Sequence, residues 1–326
     1  MKPRQLPSGA WNVRVMVGGQ SYSFTHPDKR TVMRMASDFA DETRRRIANP
    51  TLLEAMQKYV QDNSERLSPS TVRSYNGMIR MVEARNPSIA SKRISALTEQ
   101  DVLEIVRPLR TLKTKRNYVN FLHVVTGRDL RIKLHGTPSK EIRVPTDLEI
   151  LGLIELFKNT EMEVPVMLGA YGGLRRGEIC ALTMQDIDGD YVHITKDMVR
   201  DDFGQWIIKP PKTPTSVRSV LLPHFVIERI RERGHITTLT PQNVSDRFWK
   251  TQLRHGIDRP YCFHSLRHYC ASYLHSVGIP DAYILARGGW STPHIMQTVY
   301  RHALSDKVRE MDEKAVSAFQ IPFQIT

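Results

Sequence analysis

Four short stretches of this 326-residue chain concentrate side chains able to do chemistry. Residues 288–302, GGWSTPHIMQTVYRH, carry Trp290, two histidines and Tyr300. Residues 171–188, YGGLRRGEICALTMQDID, carry the pair Arg175 and Arg176, then Glu178, Asp186 and Asp188. Residues 263–274, FHSLRHYCASYL, hold His264, Arg267 and His268 within five positions, and residues 207–223, IIKPPKTPTSVRSVLLP, hold Lys209 and Lys212. A tyrosine hydroxyl attacks only if something accepts its proton, whose pKa is about 10. Otherwise a helical tyrosine packs, which is the default for one of eleven. Cys262, His264 and Cys270 suggest zinc by type, but their spacing fits no common site. With Cys180 they are too few for a disulfide framework, and a reducing cytosol is the natural compartment.

The chain suits two or three domains and, at 40% hydrophobic, has material for real cores. No run of eighteen apolar residues appears, so no helical membrane span is expected. The opening MKPRQLPSGAWNV lacks the apolar centre of a secretion signal. Of the thirteen excess positive charges, twelve fall in the first 142 residues. Such an imbalance points to a polyanion gripped mainly by the N-terminal part, nucleic acid being the obvious one, against a merely solvated basic surface.

Those reactive residues need elements to hold them. In residues 10–25 the alternation of Trp11, Val13, Val15 and Val17 predicts a strand, Gly18-Gly19 a hairpin turn, and Tyr22 and Phe24 a return strand. A helix comes next, making a sheet-plus-helix module over residues 1–50 with Arg14 on its solvent face. Residues 51–135 read as about four helices, with stripes Leu52/Met56/Tyr59/Val60 and Val72/Tyr75/Ile79/Val82, an N-cap at Thr98 and a stop at Gly127. Lys113, Lys115 and Arg116 in the last of them are candidate phosphate contacts or an ordinary wet face. Residues 136–146 read as a linker, and residues 147–326 as a mixed domain of helices, a strand-rich patch and more helices. The predicted class is mainly α with small β-sheets, an α+β protein.

Taken together and in this order, the motifs resemble the tyrosine recombinase (phage integrase) family. Its first box, T-G-L-R-x-x-E-L-x-x-L-x-W-x-D-I-D, is met in register by Gly173, Leu174, Arg175, Glu178, Leu182, Asp186, Ile187 and Asp188. Its second, H-x-L-R-H, is met by His264, Leu266, Arg267 and His268. The third ends in the nucleophile, which falls on Tyr300, with His302 completing a Y-x-H pattern. Motif resemblance covers about residues 145–310, and the two N-terminal modules resemble the family by layout only.

The resemblance implies that Tyr300 attacks a DNA phosphodiester. Two guanidiniums, Arg175 and Arg267, would neutralise the charge growing on the non-bridging oxygens without a metal. Arg176 competes with Arg175, but the family's active residue directly succeeds Gly-Leu. Glu178 would orient Arg175 from one turn on, with His268 also beside the site. His264 would assist the tyrosine, and Lys212, in a stretch similar to the family's β-hairpin text K-T-x-x-S-x-R-x-V-P-L, would return a proton to the leaving 5′-oxygen; Lys209 is the runner-up. Asp186 and Asp188 become a structural turn. Where most members carry histidine, this chain has Trp290, which donates one hydrogen bond but accepts no proton, so donation to a phosphate oxygen or packing is its role. Trp290 lies ten residues before Tyr300, one more than the family pattern.

Site-specific recombination is the activity that the resemblance implies, through a 3′-phosphotyrosyl intermediate and a Holliday junction, with neither cofactor nor ATP. The implied partners are double-stranded attachment sites, a homotetramer on DNA, and an excisionase or host DNA-bending protein. The β-rich module at the N-terminus favours an integrase of a phage or conjugative transposon, working on DNA in a bacterial cytoplasm. The C-terminal tail docks on a neighbour or on its own domain. Rival readings are a type IB topoisomerase and a catalytically silent DNA-binding regulator.

Overall fold

The computed structural model describes residues 1–128, 132–135, 143–211 and 214–290, so Lys212, Tyr300, His302 and the C-terminal tail lie outside the described residues. The chain forms two compact units, Met1–Ser139 and Lys140–Thr326, whose boundary falls within residues 136–146.

The first unit begins with strands β1 (Arg4–Gln5), β2 (Trp11–Val17) and β3 (Gln20–His26), an antiparallel sheet in that order. The alternation in β2 works as predicted: Val13, Val15 and Val17 are buried against Val32, Ala36 and Ala40 of helix α1 (Lys29–Ala48), while Arg14 faces solvent opposite Ser23. Asp28 starts α1 by accepting the Thr31 backbone N–H at 2.7 Å. A helical group comes after it: α2 (Leu52–Asp62), α3 (Pro69–Arg85), the short α4 (Pro87–Ala90), α5 (Glu99–Val106) and α6 (Leu112–Thr126). The expected stripes meet in one core, where Leu52, Met56, Ile79 and Val82 are buried and Tyr75 stacks on Phe121 at 4.0 Å. Thr98 caps α5 in a reciprocal box with Asp101, and α6 stops at Gly127. Lys113 and Arg116 are exposed on α6, whereas Lys115 donates to the His135 carbonyl at 2.8 Å.

The second unit opens with α7 (Asp147–Phe157), α8 (Glu163–Gly172) and α9 (Arg176–Ala181). Strands β4 (Ile187–Asp188), β5 (Tyr191–Ile194) and β8 (Arg218–Leu221) form one antiparallel sheet, and β6 (Asp197–Arg200) and β7 (Trp206–Lys209) form a separate hairpin. Helices α10 (His224–Arg233), α11 (Pro241–Arg254), α12 (His264–Ser276) and α13 (Asp281–Gly288) complete it. One apolar core binds these pieces, with Phe248 ringed by Phe157 at 5.3 Å and Phe263 at 5.4 Å. Asp186 serves the predicted turn: it accepts the Thr183 N–H at 2.7 Å and pairs with Lys196 at 2.7 Å. The 207–223 stretch departs from expectation. It is not one hairpin, because β7 pairs back to β6 and β8 pairs with β5, so Lys209 ends a strand of one sheet and Arg218 begins a strand of the other. Two prolines after Lys209 remove the donors that a continuing ladder needs.

Helix α9 lies hard against β6, and only a glycine fits at the contact. A Cβ on Gly177 would run into the Asp197 carboxylate and stand 2.8 Å from the Met198 carbonyl, which is backbone and cannot swing aside. Gly177→Ala is therefore expected to cost about 1–3 kcal/mol, the usual range for overpacking. A lowered urea midpoint at unchanged m-value would report it, and wild-type stability would mean that α9 does not press on β6.

Candidate active site

The centre of the site is a carboxylate. Glu178, on α9, is only 2% exposed and lies between two arginines. Arg175 is the residue at which α9 begins; its backbone N–H donates to Glu178 Oε2 at 2.8 Å and its Nη1 to Oε1 at 2.6 Å. From β8, Arg218 donates through Nη1 to Oε1 at 3.0 Å and through Nη2 to Oε2 at 2.8 Å. Burial pushes the Glu178 carboxyl up, but the Arg218 bonds and the charges of Arg218 and Arg175 outweigh it and hold the group below the usual carboxylate range. Arg176 turns to α11 and donates to Ser245 Oγ at 2.5 Å, so the two adjacent arginines are separated.

The second fixed point is the end of α13. A helix leaves its last carbonyls without partners, and here three in succession are taken by arginines from three different elements. The Arg287 carbonyl accepts from Arg218 Nε at 2.7 Å, that of Gly288 from Arg267 Nη2 at 2.6 Å, and that of Gly289 from Arg175 Nη2 at 2.7 Å. Consecutive Cα atoms are about 3.8 Å apart, so the three guanidiniums are close neighbours. Both glycines of the GGW motif are needed. Gly289 closes the helix in the left-handed region at φ 63°, and a Cβ on Gly288 would run into the Trp290 ring.

Helix α12 supplies His264, Arg267 and His268, at i, i+3 and i+4 on one face. Arg267 is 1% exposed. Its Nη1 donates to the Gly173 carbonyl, its Nε is buried without a partner among the described residues, and its Cζ stands 3.8 Å from the centroid of the Trp290 ring. Burial and the like charges of Arg175 and Arg218 oppose its ionisation while Glu178 favours it, yet a guanidinium remains charged. Trp290 thus packs its indole face on Arg267, a cation–π contact. His264 and His268 meet edge to face at 4.7 Å. His264 is exposed, yet the protein atoms crowded about its ring, the His268 ring among them, still desolvate it. Burial first, then His268, Arg267, Arg175 and Arg176, hold its pKa down at about 3; burial and Arg267 hold that of His268 at about 4.

The predicted residues therefore fall into groups. Arg175, Glu178, Arg267, His264, His268 and Trp290 converge. Tyr300 and Lys212 lie outside the described residues, and Lys209 is at the end of β7, opposite Asp197 in register. Two members of the cluster were not singled out from sequence. Arg218 stands in the K-T-x-x-S-x-R text, where its arginine is the signal. Asp197, raised by burial and by Glu178, has no sequence signal. Among the described residues, no group of His, Cys, Asp and Glu stands ready to hold a metal ion, and no helix is long and apolar enough to cross a membrane.

Comparison with known proteins agrees with this fold. Residues 148–307, just under half of the chain, match the phage integrase family. A tyrosine recombinase XerC-like protein of Caldanaerobacter subterraneus subsp. tengcongensis is 26% identical over 221 residues, 55% of this chain and 56% of that protein. The chain thus spans about half the length of the curated relative it matches. Among solved structures, the Tn1549 transposon integrase in complex with transposon right end DNA superposes with a TM-score of 0.66 at 17% identity, over 81% of this chain and 99% of that one. The lambda integrase tetramer bound to a Holliday junction gives 0.55 at 15% identity, over 91% and 94%. At these identities the structural matches establish the fold, a mixed α+β architecture as predicted.

The histidine environments can be separated by titration. The His264 and His268 rings are expected to stay neutral from pH 8 to pH 5, with flat imidazole resonances. His224, raised by Asp190, and His235, raised by Glu161, are expected to titrate above the ordinary histidine value of about 6.5. A His264 resonance that moves with a midpoint near 6.5 would show that the ring is neither desolvated nor crowded by positive charge.

Proposed function

We propose that this chain is a site-specific DNA recombinase that cuts and rejoins strands through Tyr300, serving integration and excision of a mobile element. The observation that carries this reading is the meeting of Arg267 and Arg175 at the carbonyls of Gly288 and Gly289, twelve and eleven residues before Tyr300, with His264 near enough to feel both charges, inside the stretch that matches the phage integrase family. A pure DNA binder has no use for such a cluster, where the guanidiniums of Arg175, Arg218 and Arg267 are held together, the last two buried, at an energetic cost.

In this mechanism Arg175 and Arg267 offset the charge that accumulates on the non-bridging oxygens of the pentavalent transition state. Tyr300 Oη bonds to phosphorus as the bond to the 5′-oxygen breaks, leaving a 3′-phosphotyrosyl link and a free 5′-hydroxyl. Lys212 gives the leaving oxygen its proton, and His264 accepts the proton of the tyrosine. A ring with a pKa of about 3 is a poor base. Burial does most to depress it, and the negative charge of an entering phosphodiester offsets the smaller share owed to Arg267, Arg175 and Arg176, so basicity rises in part as DNA arrives. Trp290 acts by seating Arg267. The covalent link preserves the energy of the broken bond, so the 5′-hydroxyl of a second strand can reverse the step through a Holliday junction.

The sheet-and-helix module of residues 1–50, with Arg14, and the helical domain of residues 51–135, with Lys113 and Arg116, grip the duplex on this reading; Lys115 contributes charge from its bond to His135. Four copies on two attachment sites form the working assembly in the bacterial cytoplasm, with an excisionase or host DNA-bending protein setting direction.

The test uses nicked duplexes tiled across the DNA that flanks the coding sequence. The wild type is expected to form a covalent 3′ adduct on one of them, and Tyr300→Phe none. Arg175→Gln is expected to slow adduct formation by about 10²–10³-fold, the loss typical of one transition-state donor. An undiminished adduct in Tyr300→Phe sinks the mechanism. Relaxation of a plasmid without that site by the wild type would replace it with a topoisomerase.

A further inference from the structure

Arg218 takes no part in the steps above, yet it is the most completely bonded side chain of the cluster. It is 5% exposed, and every bond it makes goes to protein: two to Glu178, one from Nη1 to the Ser216 carbonyl at 3.0 Å, and one from Nε to the Arg287 carbonyl at 2.7 Å. Each of its three guanidinium nitrogens already donates to protein, whereas the Nε of Arg267 has no partner among the described residues, so Arg218 is the one committed to structure. Its fork-on-fork contact with Glu178 is the geometry that fixes a carboxylate in both position and plane. The other edge of that carboxylate receives the backbone N–H and Nη1 of Arg175.

We propose that Arg218 is a positioning residue for the cleavage reaction: it sets the plane of Glu178, and through Glu178 the orientation of Arg175. The inference rests on the recombinase reading for its catalytic readout. The groups facing Glu178 are Arg175 at the start of α9, Arg218 from β8, Arg267 from α12 and Asp197 from β6. Removing Arg218 takes away the bidentate partner and the largest of the influences that hold the Glu178 carboxyl down, leaving burial opposed by Arg175 and Arg267 alone. Once protonated, Glu178 carries a hydrogen on one oxygen and can no longer accept both bonds of Arg175. Arg218→Gln should therefore lose more function on the acid side than the wild type does. A role confined to packing gives no such limb.

The experiment compares full-length wild type, Arg218→Gln, Arg218→Lys and Arg218→Gln/Glu178→Gln on the nicked duplexes, measuring DNA affinity and the rate of adduct formation from pH 8 to pH 5. Arg218→Lys keeps the charge without the fork and stands in if Arg218→Gln does not fold. Asp197→Asn in the same backgrounds keeps the titration of Asp197 out of the profile. We expect affinity within twofold of wild type, cleavage slower by about 100-fold, as for a small misplacement of a reacting group, and a further fall with acid that vanishes in the Glu178→Gln double variant. Wild-type rates in both Arg218 variants overturn the proposal. So does a loss that tracks DNA affinity, or an acid limb that persists in the double variant. A second readout is independent of cleavage. The Arg175 Nε resonance of the unliganded protein should be flat with pH in the wild type and show a titration in the Arg218 variants. If no variant, wild type included, forms an adduct, the recombinase reading fails while this resonance still decides the Arg218–Glu178–Arg175 link.

Discussion

A single buried carboxylate organises the second unit. Glu178 has almost no contact with solvent, and a bare charge there would be prohibitive. It is tolerated because guanidiniums from two elements occupy both of its oxygens, and stripping one partner from such a pair generally costs about 3–5 kcal/mol. That requirement constrains everything nearby. Helix α9 must begin at Arg175 and lie against β6, which demands Gly177; β8 must bring Arg218 alongside; and α13 must end where its carbonyls meet both arginines.

The cluster is an uneven one electrically. Three guanidiniums share one carboxylate, and both histidines are held neutral, so the unliganded site has surplus positive charge and dipoles already aimed at it. Trp290 covers the Arg267 guanidinium, and the α12 residues from Ser265 to Ser272 around it are buried. Groups fixed in that way need little rearrangement when negative charge develops, which is the chief source of electrostatic catalysis. The α13 carbonyls matter here because they hold the cations apart and in place without adding a second full negative charge that would cancel them.

Much of this was legible in sequence, for identifiable reasons. Alternation around Gly18-Gly19 is a local signal, and the β2–β3 hairpin appears where it was expected; the stripes of α2 and α3 and the Thr98 cap are equally local. Arg175, Glu178, His264 and Arg267 were picked out because they stand in short contiguous motifs that resemble the family's boxes. What escaped was non-local or had no side chain to announce it. The 207–223 stretch looks like a hairpin in isolation, and only the competition of β5 and β6 for its two ends divides it between sheets. The bond between Glu178 and Arg218 spans forty positions. The three acceptors at the end of α13 are backbone carbonyls, which every residue possesses, so no residue type marks them. The meeting of Trp290 with Arg267 was likewise invisible, although the glycine before it was its trace.

The burial of Arg218 and Arg267 also has a consequence for how the chain would answer to salt. A polyanion sheds condensed counterions only where accessible cations replace them, so the slope of affinity against ionic strength counts exposed contacts. Both of these guanidiniums are enclosed and already bonded to carbonyls or carboxylate. They therefore contribute little to that slope, which belongs to outward-facing residues such as Arg14, Lys113 and Arg116. Ionic strength would then govern how long the chain stays on a polyanion while leaving the interior of the site almost unscreened.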